Sequence, residues 1–230
     1  MLLGAFDQFQ DNPPALVAFI AAFMVSLVIA LTFHEFSHAW SANELGDPTA
    51  KNLGRLTLNP VKHLDPMGTI LMLVVGFGFA KPTPVNPSRL RNGPVRGRMM
   101  VAAAGPLSNF FMAALVAVPL KLGLIDTVAS FDDISEASGI EILGLFLIFI
   151  VFFNILIGIF NLVPIPPLDG FDVLLGLVPG PIRVTLESFR PWGIGVLFSL
   201  LIVSFATGGA INPLGTLISS VADVVFPLVT

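Results

Sequence analysis

Four apolar stretches, at about Ala15–Trp40, Met99–Leu120, Ile140–Leu162 and Trp192–Ala206, constrain this chain more than any other feature. A helix needs about 20 apolar residues to cross the hydrocarbon core of a bilayer. The first three stretches reach that length; the fourth is short. In lipid a segment must bond its own backbone N–H and C=O groups, so such runs fold as helices. Charged residues make up only 11% of the chain and hydrophobic ones 55%. A soluble domain carries about 25% charged residues, so much of this surface is expected to face lipid. The expected fold is an all-α integral membrane protein, a polytopic helical bundle of four to six membrane segments. It reads as one domain over 1–230, with a core at about 15–170 and further membrane segments at 190–230.

Pro13-Pro14 suit the entry to the first helix. No lysine or arginine precedes that helix, so it reads as a permanent span and not as a cleavable signal. Met67–Ala80 is apolar but too short to span, and it contains Gly76 and Gly78. With its tail GFGFAKPTPVNP it predicts a short re-entrant or β-like element, associated with the membrane, around 67–90. Near the C-terminus Leu214, Leu217, Ile218, Val221, Val224 and Val225 recur at helical spacing.

The basic residues set an orientation. Lys51, Arg55 and Lys62 follow the first stretch, Lys81, Arg89, Arg91, Arg96 and Arg98 precede the second, and Arg183 and Arg190 follow the third. Lys121 alone sits beside the acidic loop carrying Asp126, Asp132, Asp133, Glu136 and Glu141. If 67–80 dips in and returns, all the other basic residues share one face, which the positive-inside rule makes cytoplasmic. The net charge of -4 gives no sign of nucleic-acid binding.

Toward the cytoplasmic end of the first stretch stands His34-Glu35-Phe36-Ser37-His38. Histidines four apart share a helical face and can both reach one metal ion, with the glutamate beside a metal-bound water. Ionisable groups at membrane depth are costly and normally functional. Two histidines leave a catalytic zinc one protein ligand short. The chain has no cysteine, so the third ligand is a carboxylate or His63. The best carboxylate is Asp169, in Asn161-Leu162-Val163-Pro164-Ile165-Pro166-Pro167-Leu168-Asp169-Gly170. Pro-x-Asp-Gly is also an ordinary turn signature, so the local sequence leaves ligand and turn residue both open.

HEFSHAW, GRLTLNPVKHLDPMGT, AGPLSN and NLVPIPPLDG, in this order from about Thr32 to Gly170, resemble the site-2 protease family of intramembrane zinc metalloproteases. The resemblance is to the compact subgroup without a PDZ or CBS domain. It implies one zinc per chain held by His34, His38 and Asp169, with Glu35 as catalytic base and Asn161 helping to position or polarise the substrate carbonyl. It also matches Gly105 and Asn109 to a signature of the second core helix. Phe171 and Asp172 depart from the pattern, where relatives often carry a small residue and then a basic one.

The implied substrates are single-span membrane proteins, such as membrane-tethered regulators or signal-peptide remnants, cut near the cytoplasmic face. The implied setting is the plasma (inner) membrane of a bacterium or archaeon. A membrane zinc-binding or transport protein would also keep polar ligands in the bilayer, but its ligands should line a path to both faces. A catalytically inactive relative that only binds partners would be free to lose Glu35, which is present.

Overall fold

The computed structural model describes residues 9, 11–75, 80–128 and 131–229. Helix α1 runs Pro13–Glu44, its first turn capped by Asn12, whose side-chain oxygen accepts from the Ala15 N–H at 3.2 Å. After the short helix α2 (Pro66–Val75) comes α3, Pro94–Lys121, which starts on a proline. Helix α4, Gly139–Asn161, opens with a capping box between Ser138 and Glu141. Helices α5 (Asp169–Leu177), α6 (Gly180–Glu187), α7 (Gly193–Ala206) and α8 (Pro213–Val229) complete the chain.

Among the described residues four helical runs are long and apolar enough to cross a membrane: Pro13–Glu44, Pro94–Lys121, Gly139–Asn161 and Gly180–Ser204. The first three lie close to the expected spans, and the fourth starts earlier than its apolar sequence because α6 leads into α7. Phe23, Leu27 and Ala30 of α1 pack on Phe153 and Ile157 of α4. The rings of Phe23 and Phe153 meet edge to face, 4.8 Å between centroids. Ala113 and Leu120 of α3 join Ile148 and Val151 of α4, with Val221 and Val225 of α8 against them. The outer faces are apolar as well: Leu107, Phe111, Leu115 and Val118 of α3 are exposed. An apolar exterior over a packed apolar interior is what lipid as solvent selects.

The region around 67–90 divides into a helical and a largely non-helical part. Its first part is helix α2, and its β character among the described residues is one isolated antiparallel bridge, Leu64 to Ala80. Beside it the Lys81 N–H donates to the His63 carbonyl at 2.8 Å. Pro82 and Pro84 have no N–H, so a regular ladder cannot continue through them. Residues 76–79 lie outside the described residues. Buried Arg55 braces this segment by donating to the carbonyls of Lys62 and Pro82.

The end of α1 is tied to the segment before α3 by Asp47, which is fully buried. Its carboxylate accepts from the backbone N–H and hydroxyl of Thr49 and, at 2.6 Å, from the Asn86 N–H. Burial alone would raise its pKa, but these donors and nearby Arg89 outweigh burial and hold it below the usual carboxylate range. The stabilisation is therefore complete above the unfolded value of about 3.9 and is lost as pH falls through the lower folded value. Asp47→Ala should cost about 1–3 kcal/mol in detergent-solubilised unfolding at pH 7, because the half-buried Asn86 N–H and the Thr49 donors lose their acceptor. The gap between wild type and variant should narrow on acidification below about pH 4, and a pH-independent gap would remove the carboxylate from the account.

Candidate metal centre

Three elements meet at one end of the bundle. Helix α1 carries His34 and His38 one turn apart, and the two rings stand at 88° with centroids 4.6 Å apart. Helix α3 passes directly behind them. A Cβ built on Gly105 would lie 2.5 Å from His38 Nε2 and 2.7 Å from His34 Cε1, so only glycine lets α3 approach this closely. The chain leaves α4 at Asn161, turns through the prolines at 164, 166 and 167, and begins α5 at Asp169. That turn also needs a glycine, since a Cβ on Gly170 would lie 2.1 Å from the Leu162 carbonyl oxygen.

Asp169 Oδ2 lies 3.0 Å from His34 Nε2 and 3.2 Å from His38 Nε2, and the two Nε2 atoms are 3.0 Å apart. Both imidazoles are buried, and the carboxylate side chain is 19% exposed. His38 Nδ1 faces the Val101 carbonyl at 2.8 Å, an oxygen that can only accept, so Nδ1 carries the proton. His34 Nδ1 donates likewise to Asn109 Oδ1 at 2.7 Å. With Nδ1 as the donor, each ring in its neutral form turns a bare Nε2 lone pair toward the carboxylate. Asp169 Oδ2 is itself buried with no hydrogen-bond donor.

Three acceptor atoms thus face one another in an apolar surround, an unfavourable arrangement unless a cation lies among them. A single bridging proton would serve one imidazole and leave the other unpaired. The ligand atoms of a tetrahedral zinc, at about 2.0–2.1 Å from the metal, stand about 3.3 Å from one another, close to the spacing here. Among the described residues His34, His38 and Asp169 are the group that could hold a metal ion.

Glu35 is buried beside them, with its Oε2 accepting from the Thr83 hydroxyl at 2.8 Å and the Thr83 N–H at 3.0 Å. Sequence reasoning missed Thr83. Its one signal is its place between Pro82 and Pro84, where it offers the sole backbone donor of the three. Asn161 is not brought into hydrogen-bond contact with the trio, and its amide donates to the Ile157 carbonyl of its own helix at 3.0 Å. His63 stands apart as a fully buried loop residue, its Nε2 2.7 Å from the Thr57 carbonyl.

The departure at Phe171-Asp172 has a local cause. Asp172 accepts from Arg98 of α3 at 3.0 Å and from Arg190 at 2.6 Å, and Arg190 lies over the ring of buried Phe171. The helix that begins with Asp169 is thereby fastened to α3 and to the turn before α7. A basic residue at 172 would add a third positive charge beside these two arginines and leave them only Glu187, 2.7 Å from Arg190 and 4.0 Å from Arg98, as a counter-charge.

Residues 22–204 match the family model described as Peptidase family M50, the site-2 protease family. YwhC of Bacillus subtilis (strain 168), designated a zinc metalloprotease, is 38% identical over 205 residues, covering 86% of this chain and 86% of its own length. Rip2 of Mycolicibacterium smegmatis (strain ATCC 700084 / mc(2)155), with the same designation, is 30% identical over 197 residues, 83% of this chain and 70% of its own. No solved structure matches the chain. The family match and the two relatives span most of the chain, the described spans are those of a membrane protein, and the chain belongs to peptidase family M50 as an integral-membrane zinc metalloprotease.

Proposed function

We propose that this chain is an intramembrane protease that cuts membrane-spanning substrates close to the cytoplasmic face of a plasma membrane, with one zinc ion held by His34, His38 and Asp169. The observation that carries this reading is the buried convergence of the three acceptor atoms within 3.2 Å, beside Glu35. A zinc ion bound there supplies Lewis-acid activation of water and of the scissile carbonyl. Glu35 is the general base that takes the water's proton and delivers it to the leaving amine. Thr83 holds one oxygen of that carboxylate, Oε2, so the carboxylate's direction is fixed before substrate arrives. Asn161, at the end of α4, is assigned the substrate carbonyl; its Nδ2 would first have to leave the Ile157 carbonyl.

A helical peptide bond is shielded by its own turn, so a substrate must unwind before it is cut. The stretch 76–85 is assigned the edge where an unwound substrate adds as a strand, over a short run and through carbonyl acceptors where Pro82 and Pro84 have no N–H. The bridge at Ala80 and the hydrogen bond of Thr83 to Glu35 support this role. The basic residues Arg89, Arg91, Arg96, Arg98, Arg183 and Arg190, in the loops before the second span and after the third, support a site that faces the cytoplasm. Membrane-tethered regulators and signal-peptide remnants are the substrate class this depth and orientation suit.

Two experiments test the reading. In a reconstituted assay on a membrane-spanning substrate, Glu35→Gln should keep its zinc and lose turnover by about 10²–10⁴-fold. Asp169→Ala should lose both, and equal zinc content in wild type and Asp169→Ala would take Asp169 out of the site. Replacing residues 76–85 with a Gly/Ser linker of the same length should abolish cleavage of the embedded substrate with zinc content preserved. Unchanged cleavage after that replacement would refute strand addition.

A further inference from the structure

Behind His34 runs a chain of side-chain amides that crosses three helices. Its first member, Asn109 of α3, accepts the His34 Nδ1 proton through Oδ1. Asn109 Nδ2 donates twice, to the Ala30 carbonyl of α1 at 3.0 Å and to Asn154 Oδ1 of α4 at 2.9 Å. Asn154 Nδ2 in turn donates to the Ile150 carbonyl at 2.8 Å. Both asparagines are fully buried.

The direction of every bond in this chain is forced. A backbone carbonyl only accepts, and an amide side chain has one accepting and one donating end. The Ile150 carbonyl draws the NH₂ of Asn154, which turns its oxygen toward Asn109. Asn109 then faces two oxygens, those of Asn154 and Ala30, and must present its NH₂ to them. Its own oxygen is left for His34, and it takes a proton only from Nδ1–H. The His34 lone pair is thereby committed to Nε2, the atom aimed at Asp169 and His38.

We infer that Asn154 is a positioning residue for the metal centre, acting through Asn109 to fix the tautomer and ring direction of His34. This rests on the reading of His34, His38 and Asp169 as metal ligands. The partner that orients a ligating histidine is worth about 10–100-fold in metal affinity. Asn154 stands one bond further out, and its contribution passes through a single amide. An amide that merely glued α3 to α4 would affect the stability of the bundle and leave the metal alone.

The test measures zinc affinity of the purified full chain in detergent, by competition with a chromophoric chelator, alongside thermal unfolding of the metal-free form. Asn154→Leu removes the polar group at similar volume and should weaken zinc about tenfold. Asn154→Asp keeps an oxygen for Asn109 and should bind closer to wild type than the leucine variant does. Asn109→Leu should weaken zinc at least as much, and the double variant Asn109→Leu/Asn154→Leu should be no worse than Asn109→Leu alone. If the leucine variant does not fold, Asn154→Ala takes its place in the comparison. Zinc binding by Asn154→Leu equal to wild type, or a loss that adds in full to that of Asn109→Leu, would overturn the inference. A wild-type chain that takes up no zinc would instead overturn the metal reading, and this inference with it.

Discussion

The mutual repulsion of three buried lone pairs, on His34, His38 and Asp169, governs the rest of this structure. Uncompensated acceptors in an apolar interior cost several kcal/mol, and lipid supplies no water to relieve them. The surrounding chain nevertheless holds them there. The Val101 carbonyl and Asn109 take the outward protons of the two imidazoles, Gly105 removes the side chain that would push them apart, and Gly170 permits the turn that delivers the carboxylate. Each device makes sense as preparation for a cation and works against stability without one.

The carboxylate comes from a different part of the chain than the histidines, so its placement depends on tertiary structure. Leaving α4, the chain must reverse within a few residues, and its prolines carry no N–H to leave unbonded at that depth. Helix α5 is then secured at its first turn by Asp172 between Arg98 and Arg190, with Phe171 packed beneath the guanidinium. Partly exposed ion pairs add little stability singly. Here they fix a direction, keeping the start of α5 against α3 and Asp169 against the imidazoles.

Much of this was legible in the sequence because it rests on local periodicity. The apolar stretches defined the spans, and the four-residue spacing of His34 and His38 placed two imidazoles on one face before any tertiary structure was known. Asp169 was harder: its neighbours suited a turn as well as a ligand, and only long-range packing decides which groups it meets. Gly105 stands in the sequence only as part of a helix signature, since a glycine that admits a helix and one that admits an imidazole look alike there. The Val101 carbonyl has no sequence signal, because any residue supplies one. Thr83 escaped notice because its partner lies 48 positions away. The stretch around 67–90 signals a non-spanning element by its short apolar start and its glycines and prolines. That start is the 10-residue helix α2, which bonds its own backbone beside lipid, a choice that so short an apolar run does not reveal by periodicity.

Zinc K-edge X-ray absorption on the purified, zinc-loaded chain tests the central claim most directly. The account predicts two imidazole nitrogens and oxygen neighbours at about 2.0–2.1 Å, with the oxygen contribution reduced and the metal labile in Asp169→Ala. A spectrum with a single imidazole, an all-oxygen shell, or no change on removing the Asp169 carboxylate would contradict it.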